Sequence, residues 1–250
     1  MRSECRYCSK VASGSFDNTV IIWDAATGDR VSELKGHSDW VKSVAWSPKG
    51  DQISGSDDRT VIIWDEATGS KVCELEGHSS NVTSVAWSPN GTQIASGSVD
   101  KTVIIWDAAM GGKVSELKGH SNYVNSVAWS PAGDLIASGS EDKSIILWDA
   151  ATGTMVSQLE GHSEGVLSVA WSPTSGQLVS GSRDKTPVVW DVKSGQKVSE
   201  LKGHEDWVRS VAWSQEGKQI ATGSDDKTVL VWDAASGGQV LSRKSTEIVF

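Results

Sequence analysis

Cysteine, proline, phenylalanine and tyrosine are all scarce: the 250 residues contain three, five, two and two of them. An odd set of cysteines, Cys5, Cys8 and Cys73, supplies no disulfide framework. Cys5-x-x-Cys8 has the spacing of half a zinc site, but no second pair of Cys or His lies near it in sequence, so no metal, redox centre or cofactor is expected. No apolar run approaches the roughly 18 residues that span a bilayer, and the first eight residues lack the apolar stretch of a secretory signal. These absences lead to the expectation of a soluble chain, cytoplasmic or nuclear. Basic residues are outnumbered 23 to 32, for a net charge of -9. That balance argues against nucleic acid and anionic membrane as partners, since both require clustered Lys and Arg, and slightly favours basic peptides. A phosphate-cradling Gly-x-x-x-x-Gly-Lys-Ser/Thr loop is also missing.

Tryptophan is plentiful, with 13 copies. Trp-Asp occurs at Trp23, Trp64, Trp106, Trp148, Trp190 and Trp232, spaced 41 once and 42 four times. Gly-His occurs at His37, His78, His120, His162 and His204, which accounts for all five histidines. Within one unit, four strand-length stretches (Val124–Trp129, Leu135–Ser138, Ser144–Trp148 and Met155–Leu159) are separated by Ser-Pro-Ala-Gly, Glu-Asp-Lys and Ala-Thr-Gly, which favour tight turns and leave no room for a helix. Each unit therefore reads as a four-stranded antiparallel meander. Stretches such as Val103-Ile104-Ile105-Trp106 are apolar on successive residues and want cover on both faces, so units must stack on one another. Repeats of about 40 residues with four strands each are the sequence sign of radial blades.

Gly-His, Val-Ala-Trp-Ser-Pro, Ala-Ser-Gly-Ser-x-Asp-x-Thr and Val-Ile-Ile-Trp-Asp, recurring together over about residues 11–240, resemble the WD40 family. The resemblance implies an all-β β-propeller whose sequence repeats are offset from its blades. The expected architecture is a single domain over 1–250, with six blades of four-stranded antiparallel sheet and the first blade completed by a chain terminus. The family pattern further implies that each Gly-His histidine, a turn aspartate, a strand hydroxyl and the Trp of Trp-Asp form a hydrogen-bonded chain. Carried over, these tetrads are His37, Asp58, Ser54 and Trp64; His78, Asp100, Ser96 and Trp106; His120, Asp142, Ser138 and Trp148; His162, Asp184, Ser180 and Trp190; and His204, Asp226, Thr222 and Trp232. A motif search would take Ser, His and Asp for a nucleophilic triad, but five nearly equal copies point to structural glue, and no catalytic residue is assigned. High similarity among the repeats also resembles the WD40 arrays of fungal NACHT-type incompatibility receptors.

Where the repeats disagree, packing does not dictate the residue. One variable set follows Gly-His and includes Trp40, Lys42, Asn81, Tyr123, Asn125, Gly165, Trp207 and Arg209; the other precedes the turn aspartate, at Phe16, Asp57, Val99, Glu141, Arg183 and Asp225. Meander topology places both sets at the same end of the blades. Eleven tryptophans belong to the repeat framework, which leaves Trp40 and Trp207 as additions, and Trp, Tyr and Arg dominate binding energy at interfaces. The expected function is a non-enzymatic scaffold that holds a protein or peptide partner on this face through Trp40, Lys42, Tyr123, Arg183, Trp207 and Arg209. The alternatives are a ligand-sensing propeller belonging to a larger signalling receptor, and an enzyme that uses the central channel.

Four irregularities complicate the pattern. The first unit has no Gly-His and supplies only three strands. Ser245–Phe250 is the expected donor of the fourth, yet by period Phe250 falls opposite Val208, so either Cys5–Cys8 serves or the ring is open; a closed ring implies a monomer, an open one an oligomer or a longer chain. Asp51-Gln52-Ile53-Ser54 lacks the alanine found at Ala95, Ala137 and Ala221, which accounts for the spacing of 41. Pro187 replaces the valine at the start of a third strand, where it cannot donate a ladder hydrogen bond. Ser214-Gln215 stands where other units have Ser-Pro. Cys73 sits where Ser32, Ser115, Ser157 and Ser199 stand in other units and reads as a neutral replacement.

Overall fold

The structure, a computed structural model, describes residues 9–48, 50, 52–174 and 176–244, with backbone only for 52–55. The described chain is all-β and contains no helix. It divides into two compact units, Met1–Glu116 and Leu117–Phe250.

In the first unit, a three-stranded sheet is formed by β1 (Lys10–Gly14), β2 (Thr19–Asp24) and β3 (Arg30–Lys35). A four-stranded sheet follows from β4 (Val44–Trp46), β5 (Gln52–Gly55), β6 (Thr60–Asp65) and β7 (Lys71–Glu76). The next contains β8 (Val82–Trp87), β9 (Gln93–Ser98), β10 (Thr102–Asp107) and β11 (Lys113–Lys118), whose last two residues cross into the second unit. The second unit holds three more four-stranded sheets. They comprise β12 (Val124–Trp129), β13 (Leu135–Ser140), β14 (Ile145–Asp149) and β15 (Met155–Leu159); β16 (Val166–Trp171), β17 (Gln177–Ser182), β18 (Val188–Asp191) and β19 (Lys197–Glu200); and β20 (Val208–Trp213), β21 (Gln219–Ser224), β22 (Thr228–Asp233) and β23 (Gln239–Lys244). Strand order within each sheet follows chain order, and every pairing is antiparallel.

Of the six four-stranded blades expected, the described residues supply five in full. Among the described residues there are five such sheets and one of three strands, because the first unit lacks the Gly-His segment that leads into a first strand. The expected donor, Ser245–Phe250, and the alternative, Cys5–Cys8, lie outside the described residues.

The third strands β6, β10, β14 and β18 bury both faces, as their unbroken apolar sequence requires, whereas β22 buries Leu230 and Trp232 and leaves Val229 and Val231 half-buried. Val61, Ile62, Ile63 and Trp64 are all buried, the odd and even members facing different neighbours. Ile62 and Trp64 pack with Val20, Ile22, Leu34 and Val41 from the three-stranded sheet's side, whereas Val61 and Ile63 pack with Val82, Val85, Ile94 and Trp106. The same division recurs in the second unit about Leu147 and Trp190. The Ser-Val-Ala-Trp motif supplies polar ties between consecutive sheets. Trp171 Nε1 donates to Ala128 O at 3.0 Å and Trp213 Nε1 to Ala170 O at 3.2 Å, while Val169 N and Val211 N donate to Ser126 and Ser168 Oγ, each at 3.2 Å. In the first unit Trp87 Nε1 and Val85 N reach Ala45 O and Ser43 Oγ in the same way.

Pro187 acts as its ring dictates. The pair that would correspond to Gly139–Ile145 is absent, β18 starts at Val188, and the proline carbonyl still accepts from Leu201 N at 2.9 Å. Ser214-Gln215 leaves its turn unchanged: Ser214 N donates to Gln219 O and Gly217 N to Ser214 O, matching Ser88 and its partners. At the Cys73 position the hydroxyls of Ser32 and Ser157 are buried without a partner, so a thiol forfeits nothing there.

Sheet-on-sheet contact leaves no room beside the second strands. A Cβ on Gly181 would lie 2.8 Å from Val208 Cγ1 and 3.0 Å from the Val208 carbonyl, and a backbone oxygen cannot step aside. Gly181→Ala should destabilise the chain by about 1–3 kcal/mol, seen as a lower urea midpoint; an unchanged midpoint would show that the sheets have slack.

Candidate functional site: a tetrad framework and a variable face

Four of the five tetrads are complete. Trp106 Nε1 donates to Ser96 Oγ at 2.7 Å, Ser96 Oγ lies 2.7 Å from His78 Nε2, and His78 Nδ1 lies 2.9 Å from Asp100 Oδ2. Trp148, Ser138, His120 and Asp142 repeat the chain at 2.8 Å for every link. Trp190, Ser180, His162 and Asp184 do so at 2.7–2.8 Å, and Trp232, Thr222, His204 and Asp226 at 2.7–2.9 Å. An indole can only donate, so the hydroxyl accepts from it and is free to donate a hydrogen bond to Nε2, with Nδ1–H donating to the carboxylate. Both triad-like contacts of every histidine in these four tetrads are thereby used up, with the indole holding the hydroxyl.

The tetrad assigned to Ser54 is corrected. Strand register puts Ser54 opposite Ile63, as Ala95 stands opposite Ile105, and puts Gly55 opposite Ile62, where Ser96 stands opposite Ile104. The missing residue has moved a glycine into the hydroxyl's place. His37 Nδ1 still meets Asp58 Oδ2 at 3.0 Å, but the buried His37 Nε2 and Trp64 Nε1 have no hydrogen-bond partner among the described residues. The three-stranded sheet keeps a remnant of the pattern, Trp23 Nε1 donating to Ser13 Oγ at 2.8 Å.

The carboxylates are held in ionised form. Burial pushes Asp226 up, but hydrogen bonds from Thr228, the Glu205 N–H and His204 outweigh it and set its pKa at about 2. Asp58, Asp100, Asp142 and Asp184 are lowered in the same way, burial opposing and the Thr or Ser hydroxyl and the histidine prevailing. His120 is lowered by burial, against the pull of Asp142.

The variable residues occupy one end of each sheet. Backbone bonds of 2.9 Å tie the two sets together: Val99 N to Asn81 O, Glu141 N to Tyr123 O, Arg183 N to Gly165 O, and Asp225 N to Trp207 O. Each ties the residue before the turn aspartate to the loop leading into the first strand. The turn itself places a non-glycine residue at positive φ in every sheet (Asn18, Arg59, Lys101, Lys143, Lys185 and Lys227). Lys143 and Lys185 then reach the next sheet, donating to Ser163 O and Glu205 O.

In the first unit, Trp40 and Phe16 stack with ring centroids 4.5 Å apart and stay 45% and 65% exposed. Lys42 Nζ sits 5.1 Å from the Trp40 ring centroid and 5.8 Å from that of Phe16. It is 3.8 Å from Asp57 Oδ2, a carboxylate only 4% exposed. Burial raises Asp57 to about 6, opposed by Lys42 and by a hydrogen bond to Asn81, with Asp39 and Asp58 adding to the rise.

In the second unit, Trp207 is flanked by two guanidiniums, Arg183 at 4.2 Å and Arg209 at 4.8 Å from its ring. Arg209 makes a forked pair with Asp225 at 2.8–3.0 Å. Arg183 Nε lies 3.1 Å from Glu141, whose carboxylate also accepts from Asn125. Gly165 leaves space for that carboxylate, since a Cβ there would come within 2.6 Å of Glu141 Oε2. Tyr123 is exposed. The acidic members Asp57, Glu141 and Asp225, together with Phe16, belong to the variable sets but not to the aromatic and cationic residues singled out from sequence. Their membership in those sets was the available signal.

A family model described as "WDR19 first beta-propeller" matches residues 86–247, and "WD domain, G-beta repeat" matches 4–24 and 28–65. The chain belongs to the WD40-repeat β-propeller family. Ribosome assembly protein 4 of Chaetomium thermophilum is 49% identical over 45 residues, which is 18% of this chain and 9% of that protein. The protein of the same name from Saccharomyces cerevisiae is 46% identical over 46 residues, again 18% and 9%. Coronin-7 of Mus musculus is 50% identical over 44 residues, 18% of this chain and 5% of its own length. Each match is about one repeat long and spans less than a tenth of the relative.

Ser138→Ala should cost about 1–3 kcal/mol, because it leaves the indole of Trp148 and the Nε2 of His120 unpaired. Gly55→Ser should move stability the other way by supplying a hydroxyl to His37 and Trp64. Urea midpoints falling for both variants would contradict the register argument. With pH the sign is also fixed. The aspartates bind protons less readily folded than unfolded, where the value is about 3.9, so their contribution is complete above about pH 5 and is lost progressively as pH falls through the folded values, about 2 for Asp226. His120, lowered from about 6.5, acts in the same direction. Asp57 acts in reverse, its cost full above pH 6 and relieved below. Midpoints measured from pH 7 to 3 should fall steeply below pH 5, and a flat profile would contradict the tetrad carboxylates' role.

Proposed function

We propose that this chain is a non-enzymatic interaction scaffold that holds a protein or peptide partner through the variable ends of its sheets, with Trp40 and Lys42 in the first unit and Tyr123, Arg183, Trp207 and Arg209 in the second. WD40 propellers in general bind protein partners. The observation that carries the reading is the contrast between two kinds of position. The tetrads and the Ser-Val-Ala-Trp ties between sheets recur from repeat to repeat, whereas the positions that differ include aromatic, cationic and acidic side chains at one end of each sheet. Catalysis would call for a reactive group set apart from the framework, whereas every histidine here serves the framework, four within complete tetrads. Two of the relatives are named for ribosome assembly, which suits a scaffold role. No described helix is long and apolar enough to cross a membrane.

The face is pre-ordered by its own contacts. Arg183 and Arg209 are held by carboxylates and stacked on Trp207, so docking costs little side-chain entropy there. The test is affinity capture from an extract of the source cells, comparing the native chain with Trp40→Ala, Trp207→Ala and a control at the far end of the sheets, Met110→Ala. Capture should be lost with the first two at unchanged thermal stability and kept with the third. Equal capture by all three would refute the reading.

A further inference from the structure

The two clusters, one in each unit, share one chemistry, a cation laid on an indole beside a carboxylate, but they are filled to different degrees. In the second unit both guanidiniums are taken up: Arg209 forks onto Asp225 at 2.8 Å, and Arg183 meets Glu141 at 3.1 Å. In the first unit the only cation over the rings among the described residues is Lys42, 3.8 Å from Asp57 and with a side chain 41% exposed. A compact ammonium at that distance neutralises a nearly buried carboxylate poorly, and Asp39 and Asp58 stand close enough to raise its proton affinity further. The stacked Phe16–Trp40 pair meanwhile presents a broad π-surface to solvent. Negative charge, exposed aromatic faces and a loosely held resident cation together describe a receptor site for a positive side chain. Guanidinium suits it best, being planar, weakly hydrated and able to stack on a ring while forking onto a carboxylate, as Arg209 does on Trp207 and Asp225.

We propose that Phe16, Trp40 and Asp57 form a binding site for an arginine side chain of a basic peptide partner, with Lys42 as the resident cation that the incoming guanidinium displaces. This rests on the reading of the face as a partner-binding surface and names the partner's chemistry. The second-unit cluster shows the filled arrangement from within the chain itself, and the net charge of -9 favours the approach of a basic segment.

The experiment is calorimetric titration of the full chain with an acetylated, amidated tetra-arginine peptide at physiological salt. Lys42→Met keeps the packing of the stem and removes the competitor, so affinity should rise about fivefold. Asp57→Asn and Trp40→Ala should each weaken binding by a similar factor, with folding checked by circular dichroism. Glu216→Gln removes one negative charge from an exposed turn away from the face and should change nothing. Unchanged or weaker binding with Lys42→Met would overturn the proposal, as would equal losses from Asp57→Asn and Glu216→Gln, the mark of unspecific attraction. If the peptide fails to bind while Trp40→Ala still abolishes partner capture, the arginine site falls and the partner face stands; if capture also survives that substitution, both fall.

Discussion

An indole N–H taken out of water has to find an acceptor, and Trp64, Trp106, Trp148, Trp190 and Trp232 are each no more than 2% exposed. Much of the molecule follows from meeting that demand. Apolar third strands such as Val61–Trp64 need cover on both faces, consecutive sheets of a unit supply it, and the tryptophan is sealed at the contact. A strand hydroxyl accepts from the indole, the histidine accepts from the hydroxyl, and the aspartate fixes the histidine's tautomer and orientation. Gly-His, the second-strand Ser, the turn Asp and Trp-Asp are the four ends of this chain, which is why they recur together along the sequence.

A polar chain this deeply buried is worth most when complete, and the break at Trp64 shows what one residue can do. Deletion near Ile53 did not exchange the strand's faces, because the ladder to Trp64 begins in the usual register. The cost falls two residues later, where Gly55 stands at the hydroxyl's position and two buried polar atoms lose their link. Sequence alignment by motif favours Ser54 as the partner because Ser-Gly-Ser follows the gap directly. Backbone pairing decides otherwise, and pairing is a property of the neighbouring strand that no local pattern carries.

Strand positions in the complete repeats were legible almost to the residue, Val124–Trp129 and Met155–Leu159 among them, since alternating apolar runs and fixed turns leave little freedom. The tetrads could be placed from the family pattern and four proved complete. Less legible was the state of the variable face. Trp207 stands out in sequence as an addition, yet it lies half-buried between Arg183 and Arg209, an arrangement made by residues from different sheets. The carboxylates that hold those guanidiniums, Glu141 and Asp225, drew no notice as single residues. Their meaning comes from which loops the sheets bring side by side.

Framework and face thus divide the work: buried hydrogen bonds fix the sheets, and the exposed ends of the same strands are free to vary. The claim that the tetrads supply that fixity is tested most directly by hydrogen exchange of the tryptophan indole protons, followed by NMR on the full chain. Trp106, Trp148, Trp190 and Trp232 should exchange slowly and as a group, and Trp64, buried to the same degree but without an acceptor among the described residues, should exchange faster. If Trp64 is protected as well as the other four, burial alone does the holding, and the account of the hydrogen-bonded chain fails.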